Sequence, residues 1–564
     1  MSKASILYLI IYILFSTGVV SQNLRLEITG ENDFETQNID SLSYEYFHKD
    51  LNSINSEIDS LQQRLFRIGF IESSHEDVNR VNDSVYESHF RLGTQFQKIH
   101  IYYDEQLITK NVISDIVNDV YDDHFLVEFK NIEQTMKLIN ARISDLGFPF
   151  SELKLQNISK LDERNLIAYL SSSDNTEQRN INKIIIKGYE KFPKSFLKHY
   201  LKIRTDRILN LSEIKEKTKS LSELNFANQI KEPEVLFTRD STILYLYLEK
   251  SRSNSFDGFL GFGTNENTNK IEFNGYLNLI LKNNLNFGEA FSLKYRSDEN
   301  EQRTFDVNLN LPYLLSTPLG VELGLNIFRK DSSFTNVNQM AKLFYQVNPK
   351  MNVYLGINST KSNNLLDDDN AVAEIQDYDA TKYTVRFSYI KRQNSRLFNT
   401  NLLFDIELGL GDRRFAERDE NQSQVLLNAF KIFNLNRKNS IYVRLNGAGL
   451  FSETYLENEL FRYGGINSLR GFEENSIVGS LYGLINTEYR YHLTNSIYVH
   501  SIIDFSYLEN KRLSQKEKLY GFGFGFGLLT KAGLLRFNYA NGKSEDQKFK
   551  FSDSKIHLSL TAVF

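Results

Sequence analysis

The chain has 564 residues, with 66 basic against 71 acidic side chains for a formal net charge of −5; it holds no Cys and no Trp, yet 42 Phe and 31 Tyr. The near balance of charge leaves no electrostatic footprint for nucleic acid, and the lack of Cys excludes a disulfide framework, a thiolate metal site, a Cys nucleophile and a lipidated N-terminal Cys. The length exceeds what a single hydrophobic core supports, so at least two domains are expected.

At the N-terminus Lys3 precedes the apolar run Ile6 to Phe15, and small residues follow up to Ser21. This order of basic, apolar and small residues predicts a secretory signal peptide over 1–21. The run falls short of the roughly 20 apolar residues that a membrane-crossing helix needs. No later segment comes closer, so the exported chain is expected to lack a transmembrane helix.

From residue 22 to about 252, charged helical stretches alternate with short strands, and a period emerges. Ile54, Ile58, Leu61, Leu65 and Ile68 form one helical stripe that ends in Gly69-Phe70. Seventy-eight residues on stand Ile132, Met136, Ile139, Ile143 and Leu146 with Gly147-Phe148; the same step again reaches Ile214, Leu221 and Leu224 with Asn225-Phe226. Such spacing aligns apolar side chains on one helix face, and Gly or Asn after it suits a left-handed cap. Strand-like runs at Leu24, Ile99 and Lys183 open the units, and Thr242-Ile-Leu-Tyr-Leu-Tyr-Leu-Glu closes the last. Three α+β repeats are expected, over 22–97, 98–180 and 181–252, each a strand-helix-helix-strand-strand module. A small sheet with an open edge can accept an extended peptide as an added strand.

After Asp257 the period changes to two. Phe305, Val307, Leu309 and Leu311 alternate with Thr304, Asp306, Asn308 and Asn310, and Ile556, Leu558 and Leu560 with His557, Ser559 and Thr561. Sixteen such runs start near residues 256, 270, 289, 302, 318, 336, 350, 378, 398, 420, 438, 478, 495, 517, 532 and 554. Tight links, such as Asn283-Asn-Leu-Asn and Thr494-Asn, interleave with longer polar ones, such as Asn358 to Tyr378 and Glu453 to Ser476. Short turns on one side and long loops on the other predict an all-β, antiparallel, sixteen-stranded transmembrane β-barrel over 253–564. Every backbone group must be paired in a bilayer, so the sheet has to close on itself. Its first strand is short and glycine-rich, so a weak seam is expected between Phe256, Gly258, Phe259 and Gly261 on one side and Leu558, Leu560 and Phe564 on the other.

The sixth long loop carries Gly464-Gly-Ile-Asn-Ser-Leu-Arg-Gly-Phe472. On the following strands the alternation turns Glu488 and Asp504 toward the lumen. A loop folded inward would place the planar Arg470 guanidinium against both carboxylates. Gly521-x-Gly-x-Gly-x-Gly527 resembles a nucleotide fingerprint but lies in an alternating strand with no helix after it. The nine His show no metal-ligand spacing, and no Gly-x-Ser-x-Gly elbow occurs. No enzyme, cofactor or metal is expected.

Taken together, the loop sequence Leu469-Arg470-Gly471-Phe472, Glu488 in Asn-Thr-Glu-Tyr-Arg, Asp504 in Ile-Ile-Asp-Phe, the segment Gly521 to Ala540 and the terminal Phe564 resemble the outer-membrane insertase and translocator superfamily of BamA and TamA. The resemblance implies POTRA domains before a sixteen-stranded barrel, and the three repeats make the chain most similar to the TamA branch. It further implies Arg470 as the loop arginine with Glu488 and Asp504 as its lumenal partners, an outer-membrane location in a Gram-negative bacterium with the repeats in the periplasm, unfolded outer-membrane or secreted clients, and a TamB-like inner-membrane partner. Leu469 stands where Val or Ile is common, and the stretch Lys555 to Phe564 has no Gly to support an inward kink. The function expected is assembly or translocation of exported polypeptides; a two-partner-type secretion pore and a passive barrel are the alternatives.

Overall fold

The computed structural model describes residues 23–105, 108–172, 177–264, 271–297, 302–366, 375–530, 533–545 and 554–563. The expected signal peptide and Phe564 lie outside these residues. The chain divides into two compact units: one runs up to Asn180 and includes Arg207–Ser212, the other comprises Ile181–Asp206 and everything from Glu213 onward.

The first unit contains two POTRA-like α+β modules. In the first, Leu24–Gly30 runs parallel to Val85–Arg91, and the amphipathic helix Leu51–Arg67 covers the sheet. Ile54, Ile58, Leu61 and Leu65 are fully buried there. In the second, the sheet order is His124–Glu128, Lys98–Tyr102, Asn165–Ser172, Leu153–Lys160, and Ile139 and Ile143 of helix Ile132–Asp145 supply its core. The stripe is imperfect here, since Leu146 is exposed beyond the end of the helix. Gly69 and Gly147 have φ of 104° and 95°, and Asn225 of the third module has φ of 61°. All three repeats thus end the helical stretch with the left-handed residue that the sequence places there.

The third module, Lys183–Gly188, Thr242–Lys250 and Ala227–Phe237 with helix Leu211–Lys219, belongs to the same unit as the barrel. In each module the opening strand lies parallel to the closing one. The third packs on the periplasmic turns of the barrel. The Tyr189 hydroxyl donates to Asn286 Oδ1 and accepts from Asn283 Nδ2, both at 2.7 Å. The Phe196 ring meets Tyr313 edge-on at 4.9 Å.

The barrel strands are β1 (Ser255–Thr264), β2 (Ile271–Lys282), β3 (Ala290–Ser297), β4 (Arg303–Leu311), β5 (Leu319–Lys330), β6 (Phe334–Asn348), β7 (Met351–Asn364), β8 (Tyr378–Arg392), β9 (Thr400–Phe415), β10 (Arg418–Asn434), β11 (Asn439–Phe451), β12 (Leu481–His492), β13 (Ile497–Asn510), β14 (Gln515–Leu529), β15 (Leu534–Ser544) and β16 (Ser554–Val563). Each pairs antiparallel with the next, and β1 meets β16 to close the ring. The sixteen-strand expectation holds. One start is displaced: the run near 478 belongs to a separate short strand, Ile477–Gly479, which pairs with Phe461–Tyr463 inside the long loop. Apolar alternation continues from Ile477 into Leu481, so the pattern alone cannot see the break at Ser480, whose N–H and hydroxyl both bond the Glu509 carbonyl.

Outward-facing Leu343, Leu355, Leu410, Ile503 and Phe524 are each more than half exposed, as a lipid-facing wall requires. Their inward neighbours Lys342, Phe344, Tyr354, Ile502 and Asp504 are buried. Among the described residues no helix is long and apolar enough to cross a membrane; in this chain strands do so.

Candidate functional site

Adjacent strands β12 and β13 present Asn486, Glu488 and Arg490, and His500 and Asp504, on their lumenal face. All five are more than nine-tenths buried, while Ile485, Tyr489, Val499 and Ile503 face outward. Strand pairing brings Asn486 opposite Asp504, so a single inserted side chain can reach both acids.

That side chain is Arg470. Its Nε donates to Asp504 Oδ2 at 2.8 Å and its Nη2 to Asp504 Oδ1 at 2.6 Å, a bidentate fork. The Arg470 backbone N–H donates to the same carboxylate at 3.1 Å, and Nη1 donates to Glu488 Oε1. Arg470 is 5% exposed and Asp504 1%. A charge removed from water to this extent costs several kcal/mol unless it is paired and hydrogen-bonded, and here both oxygens of Asp504 are satisfied by one residue.

The loop is seated by packing as well as by charge. Leu469 is fully buried among Tyr463, Ile477, Leu484, Leu508 and Leu519, with Phe472 alongside. Gly471 has φ of 92°, and a Cβ there would lie 2.4 Å from the Asn541 carbonyl carbon on β15. On the wall, a Cβ on Gly521 of β14 would meet the Arg470 carbonyl oxygen at 2.4 Å. The first glycine of the repeated Gly-x-Gly stretch therefore clears room for the loop backbone.

Sequence reasoning missed two parts of this arrangement. Arg490, two residues along the same inward face, donates from Nε to Glu488 Oε2 at 2.7 Å and lies 4.1 Å from the ring centres of both Phe398 and Tyr442. Its same-face spacing from Glu488 was the available signal. The other part is a second buried cluster at the root of the loop, around Arg413 of β9. Arg413, with no exposed surface, pairs with Glu420 Oε2 at 2.6 Å and with Glu459 of the loop, and its guanidinium lies over Phe415 at 4.2 Å. Asn458 next to it donates to Ser362 Oγ of β7 at 2.7 Å and accepts from Asn336 of β6 at 2.6 Å. Arg413→Ala should leave Glu420 and Glu459 buried without their cation, at a cost of about 3 kcal/mol; we expect protease added outside intact cells to cut between residues 453 and 463 in this variant and not in the wild type.

The predicted seam residues are distributed unevenly. Among the described residues only Ser255 with Val563 and Phe256 with Ala562 pair across β1 and β16, both at the periplasmic end. By contrast β2 and β3 pair continuously from Gly275–Ser297 to Lys282–Ala290. Gly258, Phe259 and Gly261 pair with β2, and Leu558 and Leu560 with β15; among the described residues none of the five pairs across the seam. The register of β16 on β15 is unbroken from Ser554 to Thr561.

Three α+β modules followed by a sixteen-stranded barrel with a loop folded into its lumen define a modular transmembrane β-barrel. Residues 281–556, which run from the end of β2 into β16, match the Omp85 superfamily domain. This places the protein in the outer membrane of a Gram-negative bacterium, with the POTRA-like modules in the periplasm. Among solved structures, BamA from Haemophilus ducreyi lacking POTRA domains 1–3 aligns with a TM-score of 0.52 at 13% identity over 83% of this chain and 100% of that one. CdiB from Escherichia coli aligns at 0.53 and 14% identity over 90% and 98%, and CdiB from Acinetobacter baumannii at 0.51 and 16% over 84% and 90%. At these identities the likeness is one of fold. No curated protein matches the chain.

Proposed function

We propose that this protein inserts or translocates exported polypeptides at the outer membrane, with residues 22–97, 98–180 and 181–252 capturing the client and the barrel, 253–564, receiving it at the seam. The observation that carries the reading is the seam itself. Beyond Phe256 and Ala562 the backbone edges of β1 and β16 are not paired with each other among the described residues, and an unpaired edge at membrane depth is costly unless another strand supplies the missing hydrogen bonds. An incoming client strand is such a supply. The outer strands of the modules, Lys183–Gly188 and Ala227–Phe237 in the third, offer the same kind of edge in the periplasm.

No reaction is catalysed in this reading; the driving force is the client's own burial of apolar surface and backbone pairing. Arg470, Glu488 and Asp504 act as a latch that fixes the loop against β12 and β13. The loop that crosses the lumen weighs against a secretion pore, because a polypeptide in transit would have to displace it. The count of three modules favours the TamA branch and a TamB-like partner reaching from the inner membrane.

Depletion tests the reading. Loss of the protein should lower several outer-membrane β-barrel proteins together, measured by quantitative proteomics of isolated outer membranes. Loss of one secreted protein from the medium with an unchanged barrel complement would instead establish a dedicated secretion pore.

A further inference from the structure

The two residues that follow the Leu-Arg-Gly-Phe motif, Glu473 and Glu474, have no part in the Arg470 cluster, yet they reach opposite sides of the seam. Glu473 Oε1 accepts from Lys555 Nζ at 2.9 Å. Lys555 lies at the extracellular start of β16. Glu474 Oε1 lies 2.7 Å from Arg296 Nη1. Arg296 lies at the extracellular end of β3, on the far side of β1 and β2. Among the described residues the backbone pairs that join β1 to β16 are at the periplasmic end, so the two ion pairs sit at the opposite, extracellular end of the barrel.

The loop is shaped to hold the doublet there. Gly465, at φ of 94°, is the position over which the Glu474 carboxylate lies: a Cβ on Gly465 would fall within 1.8 Å of Glu474 Oε2. Gly464 packs against the Glu473 backbone in the same way, and the Ser476 hydroxyl donates to the Glu473 carbonyl at 2.8 Å. The glycine pair that opens the loop motif therefore folds the chain back onto the acidic pair that closes it.

We propose that Glu473 and Glu474 are positioning residues that form an ion-pair strap across the extracellular half of the seam, holding β16 and β3 to the same loop and setting how often the seam opens. The proposal rests on the seam reading above and adds its regulation. All four side chains retain solvent access, so the strap is weak and salt-sensitive, as a part that must release during each cycle has to be.

The test uses the full-length protein in phosphatidylcholine vesicles, with spin labels on Leu277→Cys of β2 and Phe537→Cys of β15, read by pulsed electron paramagnetic resonance without any client. Glu473→Gln with Glu474→Gln should raise the long-distance population about fivefold, the scale that two exposed ion pairs can shift. Raising salt to about 0.5 M should produce the same change in the otherwise unaltered chain and none in the double variant. Exchanging the charges of one pair, Glu473→Lys with Lys555→Glu, should restore the starting distribution. Unchanged distances in the Gln variant, or a change that the exchanged pair does not reverse, would overturn the strap. The clientless distance measurement keeps that failure distinct from failure of the insertion reading, which the disulfide experiment in the Discussion probes.

Discussion

Replacing Arg470 with alanine is expected to be the most damaging single substitution in the lumen. It strands Asp504, which is 1% exposed and has the Arg470 guanidinium and backbone N–H as its donors, and the cost of leaving such a charge buried is about 3–5 kcal/mol. Glu488 suffers less because Arg490 still holds it. Two consequences follow from this asymmetry. Arg470→Lys should recover only part of the loss, since an ammonium keeps the charge but not the bidentate fork. Combining Arg470→Ala with Asp504→Asn should be milder than the sum of the two, because the second change removes the orphaned charge. Both are read from the temperature at which the folded band converts to the unfolded one on a detergent gel, together with protease cleavage between Gly464 and Glu473. If all of these variants convert at the wild-type temperature with an uncut loop, the cluster does not hold the loop.

Much of this architecture was readable before any coordinates. The step of 78 residues from Ile54 to Ile132 works because each module must bury one helix face on one small sheet, so the apolar positions cannot drift. The barrel strands were readable because lipid and lumen impose opposite polarities on successive side chains. That alternation is also what turns Glu488 and Asp504 inward. What could not be read is whatever depends on how the long loop folds. Arg413 and Glu420 sit near the tip of the hairpin between β9 and β10, where charged residues are normally solvated; only the return of Glu459, forty-six residues along the chain from Arg413, converts them into a buried cluster. The same holds for Glu474 and Arg296, which have no sequence pattern in common. The strand Ile477–Gly479 was absorbed into β12 because periodicity reports which way a side chain faces and not which strand its backbone bonds.

A disulfide across the seam should abolish function while leaving the barrel folded. Phe256 and Ala562 are register partners in an antiparallel ladder, whose Cα separation of about 4.5–5.5 Å falls in the range that a disulfide spans. The chain has no Cys of its own, so Phe256→Cys with Ala562→Cys creates a single defined link, and the oxidising periplasm forms it without added reagent. An insertase must part β1 from β16 to admit a client strand, and among the described residues two backbone pairs are the ladder it has to break; a covalent bond replaces the weakest joint of the ring with the strongest. Outer-membrane barrel proteins should then fall to the level of depleted cells, and a thiol reductant should restore them. The control is Val385→Cys with Leu408→Cys, register partners on β8 and β9 that both face lipid; that link closes an interface that is already continuous and should change nothing. A seam-linked protein that supports the full barrel complement would refute lateral insertion and leave passage through the lumen as the route, in which case freeing the loop by Arg470→Ala should raise transport rather than lower it.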